Sequence, residues 1–124
     1  MKRTRITILL TCALFLLLAA GCAIPEFQGS ETADDTQFTL AFTKLEGTRT
    51  HSMRLQPGDI VDVVIQKDSG RLDIQVASSE GEVLYQADDA DSMVFSLMIQ
   101  KDYTYKFTVK GKNAAGAVSF SVIR

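Results

Sequence analysis

At 124 residues, with 13 Lys and Arg against 15 Asp and Glu, the chain has room for one domain of ordinary size and a net charge of −2. Two cysteines and a single histidine exclude a disulfide framework, a cysteine-based zinc site and a transition-metal site built on several imidazoles. The near balance of signs leaves no basic stripe of the kind nucleic-acid binding needs, so nucleic acid is not an expected partner.

The chain opens with Lys2, Arg3 and Arg5, continues as an apolar run from Ile6 to Ala20 broken only by Thr7 and Thr11, and ends in small residues. This is the layout of a helical secretory signal peptide over residues 1–21. A membrane span is the competing reading, but the run reaches only about 22 Å as a helix, against about 30 Å of hydrocarbon. Removal of residues 1–21 takes three bases and Cys12 with it, leaving ten bases against 15 acids, net −5, and Cys22 as the sole cysteine.

Leu18-Ala19-Ala20-Gly21-Cys22 resembles the lipobox of bacterial lipoproteins, with Ala19 in the place where Leu is commonest. The resemblance implies cleavage between Gly21 and Cys22, a thioether-linked diacylglycerol on the Cys22 sulfur, and acylation, as by palmitate, of the freed amino group. It implies a protein anchored at the extracytoplasmic face of the cell membrane, or at the outer membrane if the source has two. Two acyl chains give stable anchoring where one is marginal. The alternative is a cysteine that happens to stand beside a conventional cleavage site.

Residues 22–36 read as the lipidated cysteine followed by a flexible acidic tether. Ala23 to Thr36 holds four acids and no base, and only Ile24 and Phe27 are large and apolar. Such a segment buries too little surface to offset its chain entropy, and would span about 20 Å on average and roughly 50 Å when drawn out.

From Gln37 to Arg124 apolar residues recur with period two. Phe38–Thr43, Thr48–Leu55, Val61–Gln66, Leu72–Ala77, Val83–Ala87, Met93–Ile99, Tyr103–Val109 and Val118–Val122 make about eight short strands. Polar or glycine-bearing stretches separate them, among them Lys44–Gly47, Gln56–Asp59, Lys67–Gly70, Ser78–Gly81 and Gly111–Gly116. An all-β, antiparallel, two-sheet β-sandwich follows. The turn and core positions of this series, such as Leu55-Gln56-Pro57-Gly58-Asp59 and Tyr103-Thr104-Tyr105-Lys106-Phe107, resemble small bacterial lipoproteins with a jelly-roll or GOLD-like sandwich, and are similar to pre-peptidase C-terminal domains of secreted enzymes. Asp102 departs from the glycine those relatives often carry. The resemblance implies a fold and brings no catalytic residue with it.

The candidate chemistry is sparse. His51 has no partner for general-base work, no Gly-x-Ser-x-Gly elbow occurs, and no catalytic residue or cofactor is expected. Asp88, Asp89 and Asp91 place three carboxylates in one loop, a set that would suit calcium, although calcium wants six to eight oxygens. Tyr85 is the candidate surface aromatic; Tyr103 and Tyr105 share parity with Phe107 and Val109 and belong to the core or, for Tyr103, to a tyrosine corner. The expected function is a non-catalytic binding module for an envelope or extracellular glycan, peptide or protein, anchored to the membrane and without an obligate oligomer. A structural envelope component and an accessory module of a secreted hydrolase are the alternatives.

Overall fold

The computed structural model describes residues 24–124; the signal segment, Gly21 and Cys22 lie outside the described residues. Six antiparallel strands follow one another: β1 (Glu26–Ala33), β2 (Gln37–Leu55), β3 (Ile60–Ser78), β4 (Val83–Ala87), β5 (Met93–Met98) and β6 (Tyr103–Ile123). The expected antiparallel β-sandwich holds, but it is made differently from eight short strands. Hydrogen bonding runs in the order β1-β2-β6-β3-β4, with β5 also on β3. The three central strands, of 19, 19 and 21 residues, each pass through both layers.

Each long strand bends where the sequence reads as a loop. Register slips fall between Phe42 and Gly47 in β2, and between Lys67 and Arg71 in β3, opposite Lys112 to Gly116 of β6. These are β-bulges, which add a residue, kink the strand and sharpen its twist without ending it. Glycine is required at two of them. Gly70 has φ +76°, and a Cβ there would run into the Asn113 carbonyl oxygen; Gly116 has φ +149° and lies just as close to the Gln66 oxygen. The polar, glycine-bearing stretches thus fold the sheet over instead of reversing the chain.

The fold-over creates two layers. One contains β1, the first half of β2, the second half of β6, the first half of β3, and β5; the other contains the remaining halves of β2, β6 and β3, and β4. Between them lie Phe38, Leu40, Val61, Val63, Val118 and Phe120 from the first, and Leu55, Leu72, Val76, Phe107 and Val109 from the second, all fully buried. The Phe107 and Phe120 rings meet across the layers at 4.9 Å between centroids. Each such side chain contributes about 1.5–3 kcal/mol by leaving water.

Residues 26–33, expected within a flexible tether, form the edge strand β1, paired with β2 from Glu26↔Glu46 to Ala33↔Phe38. The poverty of large apolar residues matters less than expected because backbone pairing to an existing strand supplies the order. Side chains add a stitch to the opposite layer. Arg49 donates to both carboxylate oxygens of Glu31, at 2.9 and 3.0 Å, and its guanidinium lies 4.9 Å from the centre of the Phe27 ring.

The turns at the far end are built as their residues predict. The Asp59 side chain accepts from the Gln56 amide at 2.9 Å across the Pro57-Gly58 turn, and Ser78 Oγ accepts from the Glu80 and Glu82 amides. Tyr105, not Tyr103, makes the tyrosine corner: its ring is buried and its hydroxyl donates to the Lys101 carbonyl at 2.7 Å. Burial pushes the Tyr105 hydroxyl pKa up.

Candidate functional site

The residues singled out by sequence do not converge. His51 lies on the inward parity of β2, half-buried, its ring 5.5 Å from Phe38 and its Nε2 2.7 Å from the Asp34 carbonyl oxygen. Tyr85 is half-buried. It pairs with Val76 and packs on Phe95 of the other layer at 4.6 Å, sealing the seam between β4 and β5. Parity places both: an inward residue at the margin of a sandwich meets the opposite layer.

The aspartate loop is committed to a lysine. Lys67 Nζ lies 3.3 Å from Asp89 and 3.4 Å from Asp91, and the bond to Asp89 holds the ammonium pKa up. Asp89 takes a left-handed φ of 53° and its amide donates to Asp73 at 2.8 Å, which holds the Asp73 carboxyl below its ordinary value. Among the described residues no group of three His, Cys, Asp or Glu side chains is positioned to hold a metal ion. Every buried side-chain polar atom described has a hydrogen-bond partner. The interior therefore carries no unsatisfied group that would mark a ligand.

What the structure does build is a pair of unlike outer faces. On the five-stranded layer, Ile60 lies between Met98 and Ile123, Asp62 between Ser96 and Ser121, Val64 between Val94 and Ser119, and Ala117 beside Ala41. Asp62 is the only charge among these outward positions of β5, β3, β6 and β2, and Ser96 Oγ donates to it at 2.7 Å. Val94 is 75% exposed, Met98 67%, Ile123 51% and Val64 43%. Scattered exposed apolar residues need no explanation; contiguous ones mark contact surfaces.

This face runs into an open edge. β5, Met93-Val94-Phe95-Ser96-Leu97-Met98, pairs only with β3 and has neither a charge nor a proline. The other edges are blunted: β1 carries Glu26 and Glu31 and a bulge after Gln28, the second half of β2 carries Arg49 and Arg54, and β4 is five residues long with its own register slip against β3.

The outer face of the four-stranded layer is the opposite in character. Lys106, Thr108 and Lys110 alternate outward with the buried Tyr105, Phe107 and Val109, and pair with Ser52, Thr50 and Thr48 of β2 and with Ala77, Gln75 and Asp73 of β3. Lys112 stands opposite Arg71, and Arg54 extends the row. Five bases share this face with two acids, Asp73 beside Arg71 at 3.1 Å and Asp102 beside Arg54 at 3.5 Å, in a stretch, residues 22–124, whose net charge is −5. The basic stripe missing from the overall charge balance is thus present once strands are laid side by side. A shallow depression lined by Arg71, Asp73, Lys110, Gly111 and Lys112 lies at its ridge end.

No protein-family model and no curated protein matches the chain. Among solved structures it is similar to Aeromonas hydrophila PliG, a periplasmic inhibitor of g-type lysozyme, at 11% identity and TM-score 0.45 over 78% of this chain and 88% of that one. It is similar to a CBM4 structure at 11% identity and TM-score 0.43, covering 80% and 76% of the two chains. The C-terminal CBM6 of LamC from Zobellia galactanivorans aligns at 6% identity and TM-score 0.42, over 79% and 90%. Fold does not assign function, which is read below from this chain's own surface.

Proposed function

We propose that the protein is a non-catalytic, lipid-anchored binding module of the extracytoplasmic membrane face, and that it docks another protein on the uncharged outer face of its five-stranded layer. The observation that carries this reading is the contiguous set Ile60, Val64, Val94, Met98 and Ile123 on one face, continuous with the unblunted edge of β5. A partner strand added to β5 would take its backbone hydrogen bonds there while its outward side chains extend the apolar patch, the chemistry of β-augmentation. A protein fits this surface better than a glycan. Sugars bind on exposed aromatic faces, whereas Phe27, Tyr85, Phe95 and Tyr103 are half-buried at the seams and Phe38, Phe42, Tyr105, Phe107 and Phe120 are buried.

Anchoring rests on the basic start, the apolar run and the Gly21-Cys22 step, and Cys22→Ser is expected to abolish lipid labelling and release the protein from membranes. For docking, the full-length protein is recovered from detergent-solubilised envelopes in three forms: unchanged, Val94→Lys with Met98→Lys, and Lys106→Glu as a control on the far face. A partner retained by the unchanged protein and the control, and depleted at least tenfold by the β5 substitutions, is the expected result. Equal recovery by all three forms, or none by any, would count against this face as the docking surface.

A further inference from the structure

The described chain begins at the bend, where the ridge end of the basic face lies. Three residues, Ala23 to Pro25, separate Cys22 from β1, and Pro25 already packs against Gly47. Gly47 pairs with Gly111, so the chain enters the fold directly beside Lys110 and Lys112. From Cys22 to Pro25 an extended chain covers only about 10 Å. A domain on a leash of that length rests against the bilayer, in place of the 20–50 Å of freedom that a tether reaching Thr36 would allow.

We infer that the domain seats its four-stranded outer face on the headgroups of the anionic lipids around its own anchor, with Lys106, Lys110, Lys112 and Arg71 toward the phosphates. Charge complementarity selects this face. The uncharged face of the other layer has nothing to offer a phosphate, and the β4–β5 margin presents Asp88, Asp89 and Asp91, which an anionic surface repels. Ile24, 68% exposed and two residues from Cys22, adds an apolar side chain at the level of the headgroups. A lipid chain together with a basic patch is the pairing that converts tethering into a fixed orientation. Because the two outer faces of a sandwich point in opposite directions, this seat turns Val64, Val94 and Met98 away from the membrane, where a partner reaches them. The inference rests on lipidation of Cys22 as proposed above.

The test uses the mature lipidated protein reconstituted into phosphatidylcholine vesicles with or without phosphatidylglycerol. Since Cys22 is acylated, one introduced cysteine is unique and takes a fluorophore: Thr50→Cys on the basic face, Ala41→Cys on the uncharged one. With a quencher on the lipid headgroups, the Thr50 probe is expected to be quenched severalfold more than the Ala41 probe in vesicles containing phosphatidylglycerol. The seating equilibrium read from that difference should weaken about fivefold for each of Lys106, Lys110 and Lys112 changed to Gln, and the difference should vanish in about 1 M salt, where the Debye length falls to about 3 Å. Equal quenching of the two probes, the reverse order, or the same difference on pure phosphatidylcholine would overturn the seat while leaving the anchor intact. Absence of lipid from the mass of the mature chain would overturn the anchor, and the seat with it.

Discussion

The two outer faces of this sandwich are made by the same three strands, yet one carries five bases and the other a single hydrogen-bonded carboxylate. β6 shows the contrast most directly. Before its bend it points Lys106 and Lys110 outward, and after it Ala117, Ser119, Ser121 and Ile123. The core is the same in kind on both sides, so the difference is not a requirement of folding. On the basic face Arg71 and Arg54 are paired with Asp73 and Asp102, which leaves Lys106, Lys110 and Lys112 as its excess positive charge. The bend sets two surfaces of unlike chemistry back to back, and both the proposed membrane seat and the proposed docking face depend on that opposition.

The bend is therefore where the comparison breaks most completely. Gly70→Val places a branched Cβ at φ +76° against the Asn113 carbonyl, at the point where β3 and β6 fold over together. A destabilisation of about 3 kcal/mol or more is expected, read as a lowered urea midpoint with little change in slope. A midpoint within error of the unchanged protein would show that the bulge relaxes at no cost and that the two faces are not held in opposition by it. Gly58→Ala makes the matched control, because a Cβ at Gly58 meets nothing although φ there is +94°.

A smaller effect sharpens the comparison at the end away from the bend. Tyr105→Phe removes the hydroxyl that donates to the Lys101 carbonyl while leaving the buried ring in place. About 1 kcal/mol of stability is expected to go, with the β5–β6 connection loosening first, as hydrogen exchange at Ile99 to Tyr103 would report. Unaltered exchange there would reduce the corner bond to a bystander. Since Ile99 exchanges backbone hydrogen bonds with Gly58 and Asp59, the same loosening would reach the far end of the docking face through Met98.

Much of this was legible in the residues and some of it was not, for identifiable reasons. Period two places Tyr105, Phe107 and Val109 on the core side without a structure, because alternation within one strand is local. Lys67-Asp68-Ser69-Gly70 read as a turn because glycine at positive φ serves a hairpin and a bulge equally; only the pairing of β3 with β6 on both sides of it decides. β1 was hidden for a similar reason: its order comes from β2, and its stitch to the other layer, Glu31 with Arg49, spans 18 residues. Tyr85 looked exposed beside Gln86, yet its partner Phe95 lies on a different strand of the other layer. The apolar patch was least visible of all, since Ile60, Val64, Val94, Met98 and Ile123 meet only through strand order.

The smallest expected effect concerns the leash and gives the comparison a pH dependence. Glu26 and Asp34 flank β1, and both carboxyls sit below their ordinary pKa values in the folded chain: Glu26 through its bond to Lys44 at 2.9 Å, Asp34 through the amides of Thr36 and Gln37 at 2.9 and 3.0 Å. A carboxyl lowered on folding stabilises fully above its unfolded value, and that contribution is lost as pH falls through the folded one. Acidification below the ordinary carboxylate range should therefore loosen β1 before the core, and both groups are exposed enough that the change is local. Hydrogen exchange along Glu26–Ala33 is expected to rise below that range while the amides of Val61–Ile65 stay protected. With β1 released, the leash grows from three residues to more than ten, and the basic face loses the constraint that holds it at the bilayer. The Thr50 probe on vesicles should then lose its extra quenching together with β1 protection, and quenching that persists after β1 has opened would mean that the lysines alone hold the seat.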